Sequence, residues 1–89
     1  MKGELIQKVS QILSTWNPLG KNSTNYSDLD NYKTEAIDII FQADLNIRKE
    51  NINIIVQEII NQAFDLSLSK QDCYKASKQI KKAINQIGF

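Results

Sequence analysis

The side chains of this 89-residue chain that could do chemistry are a single thiol, Cys73, and a run of carboxylates, Asp28, Asp30, Glu35 and Asp38. A thiol nucleophile needs a neighbouring base or cation to hold it as thiolate. The chain has no histidine, so the commonest general base, triad member and zinc ligand are missing together. Cys73 is therefore read as a small hydrophobe packed in a core. Paired carboxylates work as acid and base only where an apolar cleft separates their pKa values; no such cleft is evident, and the four read as a solvated helix face. Asp28 and Asp30 have the opening spacing of a calcium loop. Tyr32 and Lys33 then stand where a ligand and the turn glycine belong, and Ile39 where a closing Glu belongs. Gly3, Gly20 and Gly88 are isolated, so no phosphate-cradling loop exists. The expectation is a chain that is not an enzyme, with no cofactor and no metal.

The charges instead suggest surfaces. Net charge is +1, which gives no global field for polyanions. Residues 28–44 nevertheless carry Asp28, Asp30, Glu35, Asp38 and Asp44 against Lys33, a net of −4. Residues 66–89 carry Lys70, Lys75, Lys78, Lys81 and Lys82 against Asp72, a net of +4. Within the acidic stretch, Ile37 and Phe41 are apolar at positions outside the inward stripe, and Asp30, Thr34 and Asp38 surround them. An apolar centre with a charged rim is a common design for a protein interface. Asp30, Thr34, Ile37, Asp38 and Phe41 are thus the candidate partner-binding residues. The bland alternative is that a loop or the first helix covers Ile37 and Phe41. On the basic side, Lys75, Lys78 and Lys82 could track phosphates, although lysines near a helix C-terminus also offset its dipole.

These side chains must be positioned by helices. Leu5, Val9, Ile12 and Trp16 recur at helical spacing, predicting a first helix over about 3–15. The chain's only Trp and only Pro follow in Trp16-Asn17-Pro18-Leu19-Gly20. Pro18 cannot continue the helix and biases Asn17 away from it, and Trp16 is expected to anchor the junction in the core. Residues 17–27 read as a loop rich in Asn, Ser and Thr. Ser27 would cap a second helix over 28–44, with Leu29, Tyr32, Ala36, Ile39, Ile40 and Ala43 inward. A third helix over 50–65 carries Ile52, Ile55, Val56, Ile59, Ile60 and Ala63; it should be the most buried element, with Ile54 on its back. Its β-branched run also reads as a strand, but its length and spacing favour helix. Ser69, three residues before Asp72, opens a fourth helix with a capping box. Cys73, Ala76, Ile80, Ala83, Ile84 and Ile87 of that helix point inward, and Phe89 is expected to fold back onto the bundle.

The chain resembles the YugE-like family of small bacterial proteins of unknown function. The resemblance is carried by Trp16-Asn17-Pro18-Leu19-Gly20 after an amphipathic helix, by Tyr32, Glu35 and Ala36 as Tyr-x-x-Glu-Ala, by Phe64, and by Cys73, Ala76 and Ile80 as Cys-x-x-Ala-x-x-x-Ile. The chain departs from the family pattern in having Asn17 in place of Asp. It also has an Asn/Ser/Thr-rich loop and Leu29 where a proline and acidic residues precede the tyrosine. The resemblance implies a small helical bundle and brings no catalytic residues.

The expected fold is all-α: one domain over 1–89, a small antiparallel four-helix bundle with a long loop between helices one and two. A chain without a disulfide pair, a signal-like leader or an apolar run of about 18 residues fits the cytoplasm, with no membrane partner. The expected function is a non-catalytic protein-binding module, most concretely an immunity protein neutralising a toxin through its acidic and apolar helical surface. The alternatives are a nucleic-acid accessory protein using the basic face of the last helix, and a self-associating structural protein working through Ile54 or Phe41.

Overall fold

The computed structural model describes residues 2–21, 29–45 and 52–88. The Ser27 cap, Asp28, the start of the third helix at 50 and 51, and the fold-back of Phe89 lie outside the described residues. The described chain forms four α-helices: α1 (Lys2–Trp16), α2 (Lys33–Leu45), α3 (Ile52–Phe64) and α4 (Lys70–Ile87). No strand occurs among the described residues, so the isoleucine-rich run of α3 resolves as a helix. Each helix packs on two others: α1 on α2 and α4, and α3 on α2 and α4. That pairing makes a bundle with one common interior.

The interior is filled from all four stripes. Leu5, Val9 and Leu13 of α1, Ala36 and Ile39 of α2, Val56 and Ile60 of α3, and Cys73, Ile80 and Ile84 of α4 are buried. Each fully buried Leu, Ile or Val side chain contributes about 1.5–3 kcal/mol relative to exposure. Cys73 sits in this core as the apolar spacing of α4 predicts. The outward positions of α4, with Lys75, Lys78, Lys81 and Lys82, are exposed.

Helix ends follow local chemistry. At the start of α4, the Asp72 N–H donates to Ser69 Oγ (3.1 Å) and the Ser69 N–H donates to Asp72 Oδ2 (3.0 Å), the reciprocal capping box. The link from α3 is clamped by Asn61, whose Nδ2 donates to the Leu68 carbonyl (3.1 Å) while its Oδ1 accepts from the Leu68 N–H (2.9 Å). At the end of α1 the Asn17 N–H donates to the Leu13 carbonyl (2.7 Å) with Asn17 at φ 50°. This is the left-handed helix stop that Asn tolerates among non-glycine residues. Gly20, at φ 58°, closes the following turn by donating to the Asn17 carbonyl (2.9 Å).

Four expectations are corrected. The second helix begins at Lys33 and not near 28. Asp30, Asn31 and Tyr32 have φ of 46°, 55° and 61°, a left-handed turn closed by the Tyr32 N–H on the Leu29 carbonyl (2.9 Å). Asp and Asn tolerate that region, whereas for Tyr it costs about 1–2 kcal/mol. The burial and bonds of Tyr32 described below offset this cost. Glu35 is buried, at 9% exposure, because it lies on the inward flank of α2 between Tyr32 and Ile39. Trp16 packs against the core but stays half-buried, and Leu19 is the residue of the junction that is buried in it. In α3, Ala63 is exposed and Ile59 half-buried; Ile52, Ile55, Val56 and Ile60 are its buried residues, fewer than α2 has in the same length. The interior is therefore shared and not centred on α3.

Candidate functional site

The outward face of α2 is set by what holds the start of the helix. Tyr32 is buried, and its hydroxyl donates to Asn17 Oδ1 (2.7 Å) and accepts from the Leu19 N–H (3.3 Å). Its ring meets Phe64 edge to face, with centroids 5.8 Å apart. Ser10 Oγ of α1 donates to the Asn31 carbonyl (2.6 Å). The left-handed turn is thus fastened to α1 and to the end of α3, and α2 leaves it with a fixed rotation. Burial pushes the Tyr32 phenol above its ordinary value, and the nearby Glu35 carboxylate adds to that, while the Leu19 N–H works against it.

With that rotation, Ala36, Ile39, Ile40 and Ala43 point inward. Thr34, Ile37, Asp38 and Phe41 all come to the surface. Ile37 is 41% exposed and Phe41 58%. Among the described residues α1 does not bury either of them; residues 22–28 of the loop lie outside the described residues. Leu45 extends the same stripe at 66% exposure, and sequence reasoning missed it. The signal was present, because 37, 41 and 45 are spaced by four, but a helix ended at 44 leaves Leu45 out. Asp30 is also exposed but does not belong to the stripe. It lies in the left-handed turn before α2, and lines an open groove of about 490 Å³ with Gly3, Ile6, Gln7 and Ser10 of α1. Four of the five candidate residues are therefore brought together, and Asp30 is set apart.

The opposite charge collects around α4. Lys75 and Lys82 turn toward α1: Lys82 lines one depression with Lys8 and Ile12, and Lys75 lines an adjoining one with Ile12 and Trp16. Tyr74, Lys78 and Lys81 turn toward α3 and line a separate depression with Asn53 and Ser77. Ser77 is buried in spite of its hydroxyl, because its Oγ donates to Asn53 Oδ1 (3.0 Å).

Cys73 is buried, and burial first and the Asp72 carboxylate second push its thiol above the ordinary value. Such a thiol stays protonated and shielded. No group of three or more His, Cys, Asp or Glu side chains is placed to hold a metal ion among the described residues. No described helix is long and apolar enough to cross a membrane. No family model, curated protein or solved structure matches this chain.

Proposed function

We propose that this chain is a non-catalytic protein-binding module that contacts its partner through the outward face of α2. The observation carrying the reading is that Ile37, Phe41 and Leu45 are all exposed along one stripe beside Asp38. Apolar side chains aligned at a surface, flanked by charge, provide anchors with a steering rim. The Asp38 carboxylate beside the stripe suits a basic partner, and an immunity protein covering a basic, nuclease-like toxin surface in the cytoplasm is the most concrete form of this reading. The YugE-like resemblance of the 16–20 motif remains part of the proposal, as does the absence of enzymatic activity. So does an antiparallel arrangement of the helices with a long loop between α1 and α2. The sharing of one groove by Lys8 and Lys82, and of its neighbour by Trp16 and Lys75, supports that arrangement.

The test compares affinity columns bearing the wild-type chain with columns bearing Phe41→Ala or Asp38→Lys, followed by titration of the protein retained. Both variants should keep the wild-type melting profile, since both side chains are exposed. Phe41→Ala should weaken binding about tenfold or more, as truncation of an interface anchor does. Asp38→Lys should slow association most at low salt. If both variants bind as tightly as wild type, the α2 face is not the contact surface.

A further inference from the structure

The groove between α1 and α4 has the shape and charge to receive the α2 face of another copy of this chain. Two adjoining depressions, of about 260 and 220 Å³, share Ile12 and Gln79 and run along the α1–α4 seam. Their floor is apolar, formed by Ile12, Ala76 and Ala83. Lys8 and Lys82 stand at one end and Lys75 and Trp16 at the other. None of the residues lining either depression is acidic. On the α4 side the seam runs from Lys75 to Gln86, and the exposed stripe of α2 runs from Thr34 to Leu45. At 1.5 Å per residue, both are about 16 Å long. The stripe has the complementary character: Ile37, Phe41 and Leu45 for an apolar floor, with Asp38 for a lysine rim.

We infer that copies of this chain associate head to tail, the α2 stripe of one docking in the basic-rimmed α1–α4 groove of the next. The inference rests on reading the α2 face as a contact surface, and it names one partner for that face. In one molecule α2 packs on α1 and α3 but not principally on α4, so its outward stripe and the α1–α4 groove lie on different sides of the bundle. A contact between two unlike surfaces is heterologous, and it propagates into a chain or closes into a ring. A single short helix face buries little, so association at the weak end for protein interfaces is expected. A nucleic acid is the other polyanion the lysines could take. The apolar floor and a net charge of only +1 favour an acidic, apolar helix instead.

Sedimentation of the purified chain over roughly 10–500 µM, at low salt and at about 0.5 M salt, tests the inference. Wild-type mass should rise past the dimer with concentration at low salt and fall back at high salt. Phe41→Ala removes the inserted anchor and leaves the groove intact; Lys82→Glu reverses the groove and leaves α2 intact. Each alone should remain monomeric, and an equimolar mixture should form a one-to-one pair that grows no further. A wild-type chain that is monomeric throughout overturns the inference. So does Lys82→Glu that self-associates like wild type, which would place α2 against α2. So does a monomeric chain that binds a labelled single-stranded oligonucleotide and loses it on Lys82→Glu, which would make the groove a phosphate site. The α2 reading itself is judged separately: with a captured partner, Lys82→Glu should bind like wild type while Phe41→Ala does not.

Discussion

Tyr32 connects three parts of the chain that are far apart in sequence. Its hydroxyl takes part in two hydrogen bonds at the 17–19 turn, its ring packs on Phe64, and its backbone lies at a left-handed φ. Tyr32→Phe retains the ring but deletes the acceptor of the buried Leu19 N–H and the donor to Asn17. Leaving buried polar groups unmatched costs about 1–3 kcal/mol. For a domain of this size each kcal/mol lowers Tm by about 4–8 °C, so thermal unfolding followed by circular dichroism should show a clear drop for Tyr32→Phe. An unchanged Tm would mean that the hydroxyl bonds contribute nothing net. The inward position of Tyr32 is legible in the apolar spacing, but its backbone is not. The sequence places Tyr32 in a helix, whereas its hydroxyl bonds with Asn17 and Leu19, and the bond from Ser10 to the neighbouring Asn31 carbonyl, favour a turn no local pattern announces.

The four helices differ in how far their limits are set locally. The start of α4 is a local event: Ser69 and Asp72 satisfy each other's backbone N–H groups, and the motif is visible in four consecutive residues. Ser69→Ala removes the cap acceptor and should destabilise the protein by about 1 kcal/mol, read as a lower urea midpoint with an unchanged slope. A drop no larger than that of an exposed mid-helix Ser→Ala control would show that the cap carries no stability. The start of α2 is the reverse case. Asp28 and Asp30 look like a charged first turn, yet Asp30 belongs to the left-handed turn and the helix begins at Lys33. The displaced start separates Asp30 from Thr34, Ile37, Asp38 and Phe41, while the helix continuing to Leu45 lengthens the stripe. The candidate face was therefore largely readable from spacing, and its two ends were not.

At the scale of the molecule, 89 residues fold to a radius of gyration of 12.0 Å, close to the ~12 Å expected for a compact domain of this length. Burial of Tyr32 and Cys73 couples that compactness to pH. Both groups have raised pKa values, so the native chain holds protons that the unfolded chain releases. Stability from this source is complete below pH 9.0 and is lost as pH rises through 9.0 and 10.0, the ordinary values of the two groups, toward their higher native values. Melting from pH 7 to pH 11 should therefore show a decline beginning at the alkaline end, smaller in Cys73→Ala once its own packing loss at pH 7 is subtracted. A Tm flat through pH 11 would rule out the coupling. The native thiol should also react with a disulfide reagent only after denaturant opens the core.

By itself the sequence determined that the chain is helical, that Leu5, Val9 and Ile12 of α1 and Cys73, Ala76, Ile80, Ala83 and Ile84 of α4 face inward, where α4 begins, and that Ile37 and Phe41 lie away from the inward stripe. These follow from periodicity and from groups within one helical turn of each other, and neighbours along the chain carry that information. Only the tertiary structure decided that Asp30 leaves the α2 face, that Glu35 and Ser77 are buried, that Leu19 is buried where Trp16 stays half-buried, and that Lys8 joins Lys82 at one end of the α1–α4 seam with Lys75 at the other. Each of these depends on partners more than ten residues away or on how four helices share one interior, and helical spacing alone does not encode which helices become neighbours.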